Sequence, residues 1–352
     1  MTRRTVSLVT AGAVLFVLVL VSFYAPMPYV VMSPGLTENT LGSYNGTKVI
    51  QVKGHKTYPT SGHLDLTTVS VTSPDYSPKL AEVMQAWWDN DEIVIPRDIA
   101  YPPTKSNQQV EHENQVDMST SQDAAVAAAL KQAGIPTGTA VVITAVQKDA
   151  PADGELQKGD IIREVNGVEI DTVDAAQANI SKVPPGDQVE LTIERKGKQV
   201  PVTLTTEPSP DDESKSRIGV ELGEDFDPPF DVEITLGEEI GGPSAGTMFA
   251  LAIYDTITPG ELTGGRFIAG TGTISSDGTV GEIGGIQQKI AGAVGQGAEV
   301  FLVPAGDCAE AAQSAEADKV QLVKISTLDD AVKALEAIDA GDASSVPSCD
   351  ES

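Results

Sequence analysis

The sequence predicts an α+β protein: an N-terminal transmembrane helix, a β-rich unit with short helices, and an α/β unit. Three observations carry this reading. No charged residue follows Arg4 until Glu38, and Val6 to Tyr24 is mostly Val, Leu, Phe and Ala. Residues 138–207 read as strands joined by Gly-marked turns around one short helix. Beyond residue 217, strand-like and helix-like runs alternate.

At 352 residues the chain suggests two to three domains, and at 40% hydrophobic and 21% charged it can bury sizeable cores. A formal net charge of −28, from 23 Lys and Arg against 51 Asp and Glu, repels phosphate backbones and argues against nucleic acid as a partner. About twenty apolar residues span a bilayer as a helix, so residues 1–25 are expected to form a cytoplasmic stub and an anchor. Arg3 and Arg4 favour the cytoplasmic side, which places the rest of the chain outside, at the cell membrane. A cleaved signal peptide is the competing reading; small residues should precede its cleavage site, whereas the run ends Phe23-Tyr24-Ala25-Pro26. In an external chain the pair Cys308 and Cys349 is expected to form a disulfide that staples the tail, residues 341–352, to the body.

Residues 26–50 are punctuated by Pro and Gly, with short extended runs such as PYVVMSPG. SGHLDLTTVSV, residues 61–71, alternates like a half-buried strand. KLAEVMQAWWDND looks helical, and its Trp87 and Trp88 fit either a core or a membrane surface. SQDAAVAAALKQAG, residues 121–134, reads as a helix with an acidic first turn and a terminal Gly. TAVVITAV is a strand; Lys158-Gly159-Asp160 turns into a strand at 161–165, and Asn166-Gly167 marks a hairpin. DTVDAAQANISK is a short helix, followed by two strands around a Lys196-Gly197 turn. PSPDDESKS, residues 208–216, reads as a polar linker. Then FDVEITL is a strand and TMFALAIYDTI a helix apolar nearly all round, hence buried. IQQKIAGAVGQG is a helix, VFLVP and VQLVKI are strands, and the last helix opens on the capping box Thr327 with Asp330.

The phrase Ala150-Pro151-Ala152, Leu156 to Gly159, Asp160-Ile161-Ile162 and Val165-Asn166-Gly167 resembles bacterial PDZ domains. The resemblance covers 138–207 and implies a domain that captures an extended peptide as an added strand. No match to the family's carboxylate-binding loop stands out, so no ligand residues follow from it.

GGPSAG, Gly241 to Gly246, contains G-x-S-x-G, and a serine nucleophile needs a base. An α/β-hydrolase elbow demands a His after the serine, but His55, His63 and His112 all precede Ser244. An upstream His leaves His63, in a strand-like run, and His112, in the charged stretch EHENQ read as a loop. The third candidate is Lys289. It flanks the apolar stripe of Ile286, Ile290 and Ala293, while Gln287 and Gln288 point elsewhere. Apolar surroundings lower a lysine pKa and make it a competent base, although a lysine snorkelling its stem is the commoner case. Gly242 and Ser244 are candidate amide donors to an oxyanion at the following helix start, and Ala245 and Gly246 leave room for a substrate backbone.

GPSAG, then Thr271-Gly272-Thr273-Ile274, then Gly284-Gly285 four residues before Lys289, resembles the proteolytic domain of the Lon-type serine peptidases over residues 217–338. Gly241 stands where that family usually has an acidic residue. The resemblance implies a dyad of Ser244 and Lys289, with Thr271 positioning the lysine. SGHLDLTTVSV is similar to the family's opening strand, so residues 26–137 would hold the first strand of that domain and the PDZ domain would be inserted in it or precede it. The proteolytic domain is then expected over 217–340. No G-x-x-x-x-G-K-[ST] occurs, so the ATPase half of Lon proteases is missing. The whole chain resembles the membrane-anchored, PDZ-containing Lon-like peptidases of bacteria. That implies an ATP-independent, membrane-tethered serine endopeptidase with no cofactor and no metal. Its partners would be the membrane and protein or peptide substrates with exposed tails or unfolded segments; a homo-oligomer stays open. A catalytically silent PDZ scaffold at the cell surface is the second reading.

Overall fold

The computed structural model describes residues 3–349 except 196, 211, 213, 238 and 239. Two compact units emerge: residues 1–135 together with 230–352, and residues 136–229 between them in sequence.

The first unit opens with helix α1 (Arg3–Tyr24), 22 mostly apolar residues of which none is buried. Strands β1 (Tyr29–Asn39), β2 (Ile50–Lys53) and β3 (His63–Val71) follow. Helix α2 (Leu80–Trp88) buries Val83 and Ala86 and leaves both tryptophans exposed, so they do not pack on a core. After β4 (Ile93–Pro96) comes α3 (Asn107–Gln132), which begins fourteen residues before the expected start. Its first half is too polar to show a helical period, but Ser106 and Gln109 cap it reciprocally. His112 therefore lies on a helix, not in a loop.

The second unit is an antiparallel sheet around a small apolar core that includes Val141, Ile143, Ile162 and Ile193. Its strands are β5 (Gly138–Val146), β6 (Ile161–Val165), β7 (Gln188–Arg195), β8 (Lys198–Thr205) and β9 (Val220–Asp227), in spatial order β8-β7-β6-β5-β9. Helix α4 (Val173–Ser181) is capped by the Thr172 hydroxyl, which accepts from the Ala175 amide. Asn166 and Gly167 both take positive φ, 50° and 75°, as a tight hairpin requires. Lys196, of the expected Lys196-Gly197 turn, lies outside the described residues.

The boundaries expected at 207 and 216 shift. Glu207–Pro208 pairs with Ser216–Arg217, so the expected linker is the end of a hairpin, although its residues 211 and 213 lie outside the described ones. Residues 220–227, expected to open the last domain, are β9 and pair with β5. Polarity and proline mark a chain reversal, but they do not say which sheet the next strand joins.

The first unit resumes with β10 (Asp231–Ile234), paired with β2. Helix α5 (Gly246–Ile257) buries ten of its twelve residues, as its all-round apolar sequence demands. Strand β11 (Phe267–Gly270), helix α6 (Ile286–Gln296), strands β12 (Val300–Pro304) and β13 (Gln321–Ile325) and helix α7 (Leu328–Asp339) complete it. The main sheet runs β13-β12-β11-β3-β1-β4, with β3, β11, β12 and β13 parallel and β1 antiparallel to its neighbours. SGHLDLTTVSV is thus a central strand of this unit, and the second unit is an insertion into it. Helices α5 and α6 both pack on β3, and α3 runs along α5. The tail is held by the Cys308–Cys349 disulfide, with Cα atoms 5.0 Å apart, and by the Lys324 amide donating to Pro347 O.

Candidate active site

Ser244 sits in the turn that enters α5, and Lys289 lies one turn into α6. Gly285, the N-cap of α6, has φ 72°, and a Cβ there would come within 2.8 Å of Val69 on β3. The glycine lets α6 start close against the sheet and brings its first turn over the end of β3. Lys289 Nζ reaches 2.8 Å from Ser244 Oγ and 2.8 Å from Thr271 Oγ1. Lys289 is 2% exposed and Thr271 fully buried.

Proton bookkeeping orients the amine. The Thr271 hydroxyl donates to Ser244 O at 3.0 Å, so its oxygen is left to accept from a Lys289 N–H. A neutral amine held this way can turn its lone pair toward the Ser244 hydroxyl. Burial pushes the Lys289 pKa down to about 8, against an opposing pull from the Asp307 carboxylate. Asp307 is itself buried, accepts from the Ile283 amide at 3.1 Å and has a raised pKa, chiefly from desolvation.

A cleft of about 550 Å³ opens over the pair. Its wall includes the end of β3, Thr67 to Val71, with Met118 of α3 and Glu282. None of the three histidines lines it. His55 stacks on Phe230 at 4.3 Å, and His63 sits beside Asp65 with half its side chain exposed. Gln288, expected to point away from the buried face, is itself buried at 3% exposure.

The GGPSAG loop is held from two sides. The Gly272 amide donates to Ser244 O and the Thr247 amide to Gly272 O, stitching the loop to the segment after β11. On the other side, the Ser121 hydroxyl of α3 donates to Pro243 O at 2.9 Å, and the Gly242 amide donates to Asn114 O at 3.0 Å. This changes two expectations. The Gly242 N–H is already used by α3, so it is not available to an oxyanion; among the described residues the Ser244 and Ala245 amides find no acceptor, and both sit at the α5 N-terminus. Gly246 does not leave room for substrate either. A Cβ there would come within 2.5 Å of Ser121 Oγ and 2.7 Å of Ile274 Cγ2, so the glycine is needed for the close approach of α3. Asn114, Ser121 and Asp307 were missed by sequence reasoning. Their roles come from long-range contacts, and no local pattern announces them.

In the second unit a groove of about 380 Å³ lies between β9 and α4, lined by Ile180, Arg217, Ile218, Gly219 and Leu222 among others. Strand β9 is at the edge of the sheet, paired among the described residues only with β5. Gly219 takes φ 77°, and a Cβ there would overlap Ala150. This Arg217-Ile218-Gly219-Val220 stretch was hidden by the misplaced boundary.

Comparison with known proteins agrees with both units. The PDZ domain family profile matches residues 109–206, and the Lon protease (S16) C-terminal proteolytic domain profile matches residues 237–337. The PDZ match begins inside α3, which packs in the first unit, and ends before β9, which closes the sheet of the second. Tight junction protein 1 of Mus musculus is 41% identical over 80 residues, 22% of this chain and 5% of that protein. Its counterpart in Canis lupus familiaris is 38% identical over 85 residues, 24% of this chain and 5% of that one. The chain thus spans about one-twentieth (5%) of the length of these curated relatives. Among solved structures, the PDZ domain of an SdrC-like protein from Listeria monocytogenes is 23% identical, over 23% of this chain and 85% of that one, with a TM-score of 0.22. A solution structure from Geobacillus thermodenitrificans is 29% identical, over 23% of this chain and 94% of that one, also with a TM-score of 0.22. The two profile matches, falling in order along the chain, establish a PDZ domain joined to a C-terminal proteolytic domain of the Lon protease type.

Proposed function

We propose that the chain is a membrane-tethered serine endopeptidase that works without an ATPase, with Ser244 as nucleophile and Lys289 as general base. One observation carries the reading: a buried amine with a pKa near 8 lies within hydrogen-bond reach of a serine hydroxyl in an open cleft. At that pKa roughly a tenth of the amines are neutral near pH 7. Neutral Lys289 takes the Ser244 proton as Oγ attacks a peptide carbonyl. The oxyanion turns to the Ser244 and Ala245 amides, where the α5 dipole favours negative charge. The Lys289 ammonium then protonates the leaving amine, and the same lysine deprotonates the water that hydrolyses the acyl-enzyme. Thr271 keeps the amine aimed.

The PDZ groove beside β9 captures substrate by adding a strand to the exposed edge. Helix α1 anchors the chain with Arg3 and Arg4 on the cytoplasmic side and both folded units outside, where the Cys308–Cys349 disulfide persists. Substrates are then proteins or peptides presenting a tail or an unfolded segment. A serine-reactive phosphonate probe tests the core of this reading. It should label the wild-type chain at Ser244 and fail on Ser244→Ala and on Lys289→Ala, and both variants should lose peptide cleavage while folding normally. Near-normal turnover by Lys289→Ala would remove the lysine from the mechanism.

A further inference from the structure

We propose that α2 is a second membrane contact, with Trp87 and Trp88 seated in the headgroup region of the bilayer that α1 spans. The proposal rests on the reading of α1 as an anchor. Helix α1, 22 residues at about 1.5 Å per residue, is close to the roughly 30 Å hydrocarbon core in length, so its end at Phe23-Tyr24 emerges at the interface. Two residues later the chain is stitched to the start of α2. Pro26 bridges to Lys79, the Met27 amide donates to Pro78 O at 2.9 Å, and Lys79 Nζ lies 5.7 Å from the centre of the Tyr24 ring. The height of α2 at the membrane surface is therefore fixed by α1.

What α2 presents there is apolar. Ala81, Met84 and Trp88 share one helix face and, with Phe23, form the apolar part of a shallow groove of about 420 Å³ that Gln85 and Asp89 also line. Trp87 and Trp88 are 81% and 80% exposed, and Tyr24 is 70% exposed. Tryptophan is highly buried on average in water-soluble folds, while Trp and Tyr concentrate at the membrane–water boundary. The patch is continuous with α1, the one helix among the described residues that is long and apolar enough to span a bilayer, which favours lipid over a protein partner. Helix α2 contains Glu82 and no basic residue, and Asp89, Asp91 and Glu92 follow it. Indole burial would therefore hold it to lipid, and anionic headgroups would not be needed.

The chain contains only two tryptophans, Trp87 and Trp88, so its indole fluorescence reports on this patch alone. The full chain is reconstituted in phosphatidylcholine vesicles whose acyl chains carry bromine either near the headgroup or near the terminal methyl. Shallow bromines should quench the emission at least about twofold more strongly than deep ones, as expected for indoles at the interface. Trp87→Phe and Trp88→Phe should each keep the shallow quenching of the remaining indole. Water-like, unquenched emission from a chain that resists carbonate extraction would overturn the docking and leave the anchor standing. Release by carbonate would remove the anchor itself. Emission shielded from both lipids but varying with protein-to-lipid ratio would reassign the patch to contact between copies and overturn the proposal.

Discussion

Lys289 forms no ion pair among the described residues, and at 2% exposure its charged state is expensive. If the neutral amine is the working form, kcat/KM for a small peptide should rise with pH and level off above about 8. A profile flat from about pH 6 to 9 would contradict the assignment. Thr271→Val should lower kcat on the order of tenfold, since one lost hydrogen bond to the amine is worth about 1–2 kcal/mol, whereas Thr271→Ser should recover most of it. The same burial carries a stability signature. The folded pKa, about 8, lies below the 10.5 of a free lysine, so the unfolded chain binds the extra proton between those values and stability rises with pH across that window. Below about 8 the full cost is present, on the order of 3 kcal/mol. Lys289→Met should therefore melt higher than wild type near neutral pH, with the gap narrowing as pH rises toward 10.5; an equal or lower melting point at neutral pH would show that the burial is compensated. Much of this was readable from the chain, because the flank position of Lys289 follows from helical spacing alone. The engaged amide of Gly242 was not, since its acceptor, Asn114, lies 128 positions earlier (242 minus 114).

At the scale of elements, α3 braces the GGPSAG loop. Its Ser121 hydroxyl holds Pro243 O, and Gly246 has no side chain because Ser121 and Ile274 occupy that space. Gly246→Ala should destabilise the chain by about 1–3 kcal/mol through overpacking and reduce turnover as the loop shifts. Combining it with Ser121→Ala, which removes the nearer of the two clashing groups, should restore part of the loss. That non-additivity is measurable as a double-mutant cycle in melting temperature and kcat. Strictly additive losses would mean that α3 and the loop do not share this contact. The elements of apolar periodicity, such as α5, β12, β13 and α7, were legible because burial imposes the pattern directly. The first half of α3 was not: NQQVEHENQVDM has no apolar stripe, and only the Ser106–Gln109 cap marks its start.

For the whole molecule the decisive feature is insertion. β3 and β11 are adjacent parallel strands of one sheet, yet the second unit, residues 136–229, falls between them in sequence. The alternating pattern of SGHLDLTTVSV showed that it was a strand, and the family resemblance suggested its sheet. Only pairing partners could reveal that β9 belongs to the insertion and β10 does not. In sequence the insertion is flanked by segments tied to the GGPSAG loop: α3, whose Ser121 and Asn114 hold Pro243 and Gly242, precedes it, and β10, a few residues before Gly241, follows it. We therefore expect peptide capture at the β9 edge to alter cleavage, provided the peptide binds one arrangement of α3 and the loop more tightly than another. Replacing residues 136–229 with a flexible linker removes the groove while leaving Ser244, Thr271 and Lys289 in the remaining unit. Cleavage of tailed or folded substrates should then fall severalfold or more, as captured substrate is lost. Cleavage of a short unstructured peptide should change much less, with its pH profile still rising toward about 8. Wild-type rates on both substrate classes would make the insertion a passenger, whereas loss of both, with the rising pH profile gone, would mean that α3 cannot hold the loop without it.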